Sequence, residues 1–333
     1  MGASEKVMLG LSAWTLLCLG WTLYLHRLTR WDDVTARFFR CQYTTNRQLA
    51  NASDALLLHA ARLSYKAAPK RRRPNQYFVF FAMESPMNWN SNQFPKDYFN
   101  ASISYRRDAD VRFTTFRFIE REVSYNESEL FRRFQERTKP LAWFVSNCAT
   151  HSRREKFVRK LQRHLPIDIY GRCGTMRCSR TKDSNCTTLL GKRYHFYLSL
   201  ENSICTDYVT EKFARAIEAV FPSWTIPIVL SERVARPIAP PNSYIAIDQF
   251  NSPKALADHL RRLQRNFTAY SQYFKWKHKF RLEGGLRPTF CDLCEFIRNS
   301  KSGGQLLQRH FHVGRNWKEP GVCQSLNAKQ SLR

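Results

Sequence analysis

"YHFYLSLENSICTDYVTEKFARAI" spans Tyr194 to Ile217 and decides the fold. Tyr194–Leu200 is apolar and aromatic almost throughout, as a strand buried on both faces of a parallel sheet is. Thr206 or Asp207 offers a side-chain oxygen to cap a helix starting near Tyr208. Phe213, Ala216, Ile217 and Val220 then recur at i, i+3, i+4 and i+7, which makes one apolar helical face. Asn202 to Lys212 therefore falls on a strand-to-helix loop and the first helical turns. Unpaired N–H groups at a helix start favour an anion, and Lys212 adds a full positive charge, so the pattern predicts a phosphate site. The competing reading is an ordinary capped helix with an exposed Glu211–Lys212 pair. Neither G-x-G-x-x-G nor G-x-x-x-x-G-K-[ST] is present, so neither the dinucleotide fingerprint nor a P-loop is indicated.

Further strands flank this unit. "YFVFFAM" (Tyr77–Met83) and "PLAWFVSN" (Pro140–Asn147) are continuous apolar runs, joined in order by "IDIYG" (Ile167–Gly171), "IPIVL" (Ile226–Leu230) and "SYIAID" (Ser243–Asp248). "SRREKFVRKLQRHL" places Phe157, Leu161 and Leu165 on one helical stripe. Strands alternating with helices predict an α/β fold with mostly parallel sheets. Glu84 follows a predicted strand, and carboxyl ends of strands are where open α/β sheets place ligands. The charged span Arg132–Pro140 resembles a link between two halves. From about Gly303 the chain is polar and weakly patterned, which predicts a loosely ordered tail.

Of 333 residues, 54 are Lys or Arg against 27 Asp or Glu, a net charge of +27 that favours anionic partners. "KRRRPNQ" (Lys70–Gln76) reads either as an exposed loop or as a nucleic-acid patch. Val7–Leu25 carries no charged side chain and is long enough to cross a bilayer core of about 30 Å, so it reads as a signal anchor, with a buried helix as the alternative. Arg27, Arg30, Arg37 and Arg40 beyond it argue for an outside N-terminus. N-x-S/T sequons at Asn51, Asn100, Asn126, Asn185 and Asn266 argue for a luminal body. So do 10 cysteines, among which Cys173, Cys178 and Cys186 cluster and Cys291 and Cys294 form C-x-x-C. These are disulfide candidates with at least one thiol left over; zinc would need more than His310 and His312 as a second ligand pair.

The signature "FYLSLENSICTDYVTEKF" resembles the donor-binding element of the α1,3-fucosyltransferases, glycosyltransferase family 10. Further family-like segments follow in family order: "CQYTTNRQLANASDALLLHA", "YFVFFAMESPMN", "SISYRRDADV", "WFVSNC", "IDIYGRCG", "APPNSYIAIDQF" and "CDLCEF". The resemblance implies a type II Golgi membrane protein with two Rossmann-like domains facing a cleft (GT-B type). It implies a cytosolic tail at 1–6, an anchor at 7–25, a short stem at 26–40 and an acceptor-side domain at 41–138. A GDP-fucose-binding domain at 139–300 and the tail at 301–333 complete the chain. It implies inverting transfer of L-fucose from GDP-β-L-fucose to a GlcNAc hydroxyl of glycoprotein or glycolipid glycans, with no nucleic-acid partner. The family pattern puts the base at Glu84 and donor contacts at Asn202, Tyr208, Glu211 and Lys212. A diphosphate-binding arginine at the start of the helix after "WFVSNC" matches Arg154, with Arg153 as the alternative. No cofactor is tightly bound; Asp108–Asp110 looks like a metal-binding D-x-D, but the family segment does not require a cation.

The chain departs from the family in two places. A first strand before Cys41 is not recognisable, and Phe221, Pro222, Trp224 and Ser231 replace a small loop and a glycine. Both are expected near the cleft. They keep open a catalytically impaired, fucosyltransferase-like protein that binds glycans or partners.

Overall fold

The computed structural model describes residues 5–10, 41–59, 65–88, 94–95, 97–122, 126–178, 186–217, 224–284, 287–303, 317, 321–324 and 326. The chain divides into two compact units, Met1–Phe113 with Leu286–Val322, and Thr114–Gly285 with Cys323–Arg333. The division at 113–114 and 285–286 differs from the boundaries read at 138–139 and 300. Arg132–Pro140, read as the link, comprises the end of the helix Glu127–Glu136, where Arg132 pairs with Glu129 and Glu136 along one face, and the start of the strand Lys139–Phe144.

The first unit holds six parallel strands: β1 (Glu5–Gly10), β2 (Cys41–Thr44), β3 (Ala55–His59), β4 (Tyr77–Ala82), β5 (Ala101–Ser104) and β6 (Val111–Arg112). Their order is β2-β1-β3-β4-β5-β6. Tyr77, Val79, Ala101 and Ile103 pack against Leu293 and Ile297 of the helix Arg287–Gly303. A disulfide from Cys41 to Cys294 joins that helix to β2.

Several expectations change here. Val7–Gly10, read as the start of an anchor, belongs to β1, which pairs with β2 on one side and β3 on the other. An uncharged apolar run describes a central parallel strand as well as a bilayer span. The first strand is therefore present, and Glu5 and Lys6 belong to it rather than to a tail. Residues 11–40, with the rest of the anchor and the stem, lie outside the described residues. Among the described residues no helix is long and apolar enough to cross a membrane. Asn100 is buried and its Oδ1 accepts the Phe78 N–H at 2.7 Å, so this sequon is part of the core rather than a glycan site. Asn51, Asn126 and Asn266 are exposed, the last two as helix caps; Asn185 is outside the described residues. The Lys70–Gln76 loop is tied to the fold, with Arg72 donating to Tyr98 O and Arg73 to Ser53 O. Within "RRDAD", Asp108 pairs with Arg106, and Asp110 accepts from both N and Oγ of Ser102. Nor is the C-terminal segment loose throughout: Trp317 is fully buried against Phe80 and Tyr105.

The second unit begins with β7 (Phe116–Glu120) and contains a five-stranded parallel sheet. Its strands are β8 (Lys139–Phe144), β9 (Ile167–Tyr170), β10 (Tyr194–Leu198), β12 (Ile226–Val229) and β13 (Ile245–Ala246), in order β13-β12-β10-β8-β9. All five residues of β10 are buried, as its unbroken apolar run requires. α1 (Arg154–Leu161), α2 (Glu211–Ile217) and α3 (Pro253–Arg265) cover the sheet, with Phe157, Leu161, Leu256 and Leu260 in the core. Each such side chain contributes about 1.5–3 kcal/mol. Two short ladders add to this unit: β11 (Ile204–Cys205) with β15 (Cys323–Gln324), and β7 with β14 (Phe280–Gly284).

Trp224 is a core residue at the amino end of β12. Its carbonyl accepts from Tyr270 Oη at 2.5 Å and from buried Arg137. That is the sheet edge opposite the strands' carboxyl ends, so Trp224 is not near a cleft there; Ser231, which follows β12, is at the carboxyl end. Phe221 and Pro222 lie outside the described residues.

Disulfides join Cys148 to Cys173, Cys178 to Cys186 and Cys205 to Cys323. With Cys41–Cys294 this leaves the C-x-x-C unbridged: Cys294 faces Cys41 and Cys291 stays a thiol.

His195 in β10 is buried, and burial together with the Arg137 charge pushes its pKa down to about 4. In the unfolded chain a histidine titrates near ~6.5. Stability is therefore full above that value and is lost as pH falls toward 4, since the unfolded state binds the proton first. Urea denaturation at pH 7.5 and 4.5 should show His195→Gln losing about 2 kcal/mol less than the parent over this interval.

Candidate functional site

The order β13-β12-β10-β8-β9 creates a topological switch point. The chain leaves β8 toward β9 on one side, and continues from β10 toward β12 and β13 on the other. Loops leaving adjacent strands at such a point diverge and open a crevice, the usual ligand position in open α/β sheets. Here the loops are 145–153 after β8 and 199–210 after β10.

The two loops are tied directly. Ser152 donates its N–H to Asn202 O at 2.9 Å and its Oγ–H to Glu201 O at 2.8 Å. Arg154, the first residue of α1, is 4% exposed and donates to Leu200 O and to Asn147 O. Its guanidinium also lies 5.7 Å over Trp143. Burial holds Arg154 below the usual arginine pKa, against the opposing Glu201 charge. Arg153 precedes it in a left-handed conformation, φ 54°, with an exposed side chain. Gly171, at φ +100°, lets the turn after β9 come under the first loop; a Cβ there would lie 2.5 Å from Val145 O. Cys148–Cys173 fastens the same two segments.

The second loop carries a feature the sequence reading missed. Glu201, which ends the apolar β10 run, is 6% exposed. Its Oε1 accepts the Thr210 N–H and Oγ–H, both at 2.8 Å. Its Oε2 lies 2.9 Å from Lys212 Nζ. α2 therefore starts at Glu211, not near Tyr208, and Thr206 and Asp207 do not cap it. One anion, the Glu201 carboxylate, is built into this helix start. Asp207 instead takes φ +61°, a conformation Asp tolerates better than most residues, and turns the chain so that Tyr208 N–H reaches Cys205 O at 3.0 Å. Tyr208 is buried. The β11–β15 ladder and the Cys205–Cys323 disulfide hold this turn, so the chain's end fastens the loop.

Lys212 Nζ contacts Thr210 Oγ1 at 2.8 Å and Glu211 Oε1 at 3.2 Å as well as Glu201. Burial works against its charge, but Glu201 and Glu211 outweigh it and push the pKa up to about 12. Burial pushes Glu201 upward, opposed by Lys212. For Glu211 the burial effect is outweighed by Lys212 and Thr210, which hold the carboxyl below its ordinary value. Arg215, one turn further along α2, donates to Tyr197 Oη at 3.3 Å. It too was missed, because its partner lies on the preceding strand. Phe213 packs behind the loop, stacked on Phe116 of β7 at 5.5 Å. Arg154, Asn202, Tyr208, Glu211 and Lys212 thus gather on the two switch-point loops and the helices they start.

Glu84 belongs to the first unit, just beyond the end of β4, and is exposed. Asn88 Nδ2 donates to its Oε2 at 3.3 Å. Met83 and Met87 flank it and, with Phe131, are the large apolar side chains exposed among the described residues.

Lys212→Met should leave Glu201 as a buried, unpaired carboxylate. The expected cost is about 3 kcal/mol of stability near neutral pH, read from the urea midpoint. Without Lys212, burial keeps the folded-state Glu201 pKa above its unfolded value, so the variant's deficit should shrink as pH falls from about 8 to about 5.

The sequence model described as "Glycosyltransferase family 10 (fucosyltransferase) C-term" matches residues 134–310, and "Fucosyltransferase, N-terminal" matches 14–115. The chain is 41% identical over 269 residues to "Alpha-(1,3)-fucosyltransferase fut-1" of Caenorhabditis elegans, covering 77% of this chain and 60% of that protein. It is 34% identical over 297 residues to "Glycoprotein 3-alpha-L-fucosyltransferase A" of Drosophila melanogaster, covering 85% and 55% respectively. The chain thus spans little more than half the length of these two relatives. Against the Bos taurus "3-galactosyl-N-acetylglucosaminide 4-alpha-L-fucosyltransferase FUT3" it is 34% identical over 88% of this chain and 81% of that one. A crystal structure of an α1,3-fucosyltransferase with GDP-fucose shares the fold at a TM-score of 0.54 and 16% identity, covering 89% of this chain and 90% of that chain. Both sheets, the ordered motifs and these matches lead to one assignment: the chain belongs to glycosyltransferase family 10, the fucosyltransferases.

Proposed function

We propose that the chain transfers L-fucose from GDP-β-L-fucose to a GlcNAc hydroxyl of glycoprotein or glycolipid glycans, in α1,3 linkage and with inversion. The observation that carries this reading is the convergence of Arg154, Asn202, Tyr208, Glu211 and Lys212 at the switch point of the second unit. Inversion by single displacement needs a base to take the acceptor proton and positive charge to stabilise the leaving diphosphate. Glu84, exposed beyond β4 and flanked by two exposed methionines, serves as the base. Its carboxylate takes the hydroxyl proton as the acceptor oxygen bonds to the anomeric carbon, and the sugar–phosphate bond breaks with its electrons going to GDP. Lys212, a cation up to a pH of about 12, and Arg154 supply the charge for the diphosphate. Glu211, with its side chain 54% exposed, accepts from the ribose hydroxyls.

Four disulfides among the described residues and the exposed sequons Asn51, Asn126 and Asn266 support an oxidising, luminal setting such as the Golgi. A membrane anchor belongs to the same reading, but Val7–Gly10 is no part of its support, since those residues form β1. The catalytically impaired alternative loses two of its motives: the first strand is present, and Trp224 sits at the end of the sheet opposite the crevice, whereas Ser231 is at the carboxyl end.

The test is an assay of the full chain with GDP-fucose and defined glycans carrying terminal or internal GlcNAc, with product linkage determined. Fucose in α1,3 linkage on GlcNAc is expected, and Glu84→Gln should lower kcat about 10²–10⁴-fold with the fold intact. Equal rates for the variant would remove Glu84 from the chemistry.

A further inference from the structure

One carboxylate at the switch point is sealed off from solvent, while its neighbour is not. The Glu201 side chain is 8% exposed and that of Glu211 54% exposed, and Lys212, at 20%, stands between them. The contacts form a chain: Glu201 Oε2 to Lys212 Nζ at 2.9 Å, then Lys212 Nζ to Glu211 Oε1 at 3.2 Å. Thr210 braces it from the side, donating to Glu201 and lying 2.8 Å from Lys212 Nζ through its Oγ1. We infer that Glu201 is a positioning residue: by anchoring Lys212 it presets the exposed Glu211 carboxylate as the acceptor for the vicinal hydroxyls of a nucleoside ribose. This rests on the GDP-sugar reading above.

The physical reason is the difference in freedom between the partners. An exposed glutamate beside a lysine on a flexible four-carbon stem samples many rotamers, and ordering both on binding weakens affinity. Glu201 has no such freedom. It is packed in the loop just beyond β10, and Thr210 fixes its Oε1 by two hydrogen bonds. Glu201→Gln separates its two tasks. The amide oxygen can still accept from Thr210, so the start of α2 is kept, but the charge that anchors Lys212 is gone.

The experiment is calorimetric titration of the full chain with GDP and with 2′,3′-dideoxy-GDP, which lacks the ribose hydroxyls. Glu201→Gln should weaken GDP binding roughly tenfold more than dideoxy-GDP binding, the loss common to both nucleotides reporting Lys212 on the diphosphate. In a Glu211→Gln background, Glu201→Gln should act equally on the two nucleotides, with no further loss of discrimination between them. Equal weakening of both nucleotides, an unchanged GDP affinity or a tighter one overturns the inference. Wild-type protein that binds neither nucleotide overturns the donor reading, and this inference with it. Should Glu201→Gln not fold, Glu201→Gln with Lys212→Gln removes both charges at once. That pair should lose discrimination between the nucleotides as Glu211→Gln does, and retained discrimination overturns the inference.

Discussion

Lys212 and Glu201 meet at 2.9 Å inside the second unit, where neither charge could stand alone. Removing two ions from water costs several kcal/mol each, and their attraction offsets that only when the geometry is good and the remaining polar atoms are bonded. Thr210 meets part of the second condition, since it bonds Glu201 and Lys212 together. Such a pair adds little net stability, yet removing one member is expensive. Its use is therefore geometric: it determines where Glu211 points, while the Thr210 bonds to Glu201 set where α2 begins.

Everything around the pair limits the same loop. Ser152 and Arg154 bond its backbone from the loop after β8. Cys205–Cys323 and the β11–β15 ladder fasten it to the end of the chain. Phe213 is stacked on Phe116 behind it. Preorganised cations act on a developing diphosphate charge without reorganising first, which is the condition for electrostatic catalysis. A crevice formed by two divergent loops gains that rigidity only through such ties.

The sheets were legible because central parallel strands are buried on both faces and so appear as unbroken apolar runs. Tyr77–Ala82 and Tyr194–Leu198 follow this rule, and Lys139–Phe144 does so from Leu141 to Trp143. The same rule misled at Val7–Gly10, since an uncharged run describes a central strand and a bilayer span alike. Asn100 failed for a related reason: a sequon is a local pattern and is blind to the burial that Phe78 imposes on it. Arg154, Asn202, Tyr208, Glu211 and Lys212 were singled out by the family resemblance, but Glu201 was not. Its partners Thr210 and Lys212 are brought back to it by the left-handed turn at Asp207, and no periodicity reports such a turn. The disulfides were legible as a class and not as pairs, because Cys41–Cys294 and Cys205–Cys323 close over separations of 253 and 118 residues.

The central claim is that the switch point of the second unit holds a guanosine diphosphate sugar. A crystal structure of the chain grown with GDP tests it most directly. The account predicts diphosphate density between loops 145–153 and 199–210, within hydrogen-bond distance of Lys212 or Arg154, with the ribose on Glu211. A diphosphate bound elsewhere, or a crevice left empty at saturating GDP, would contradict it.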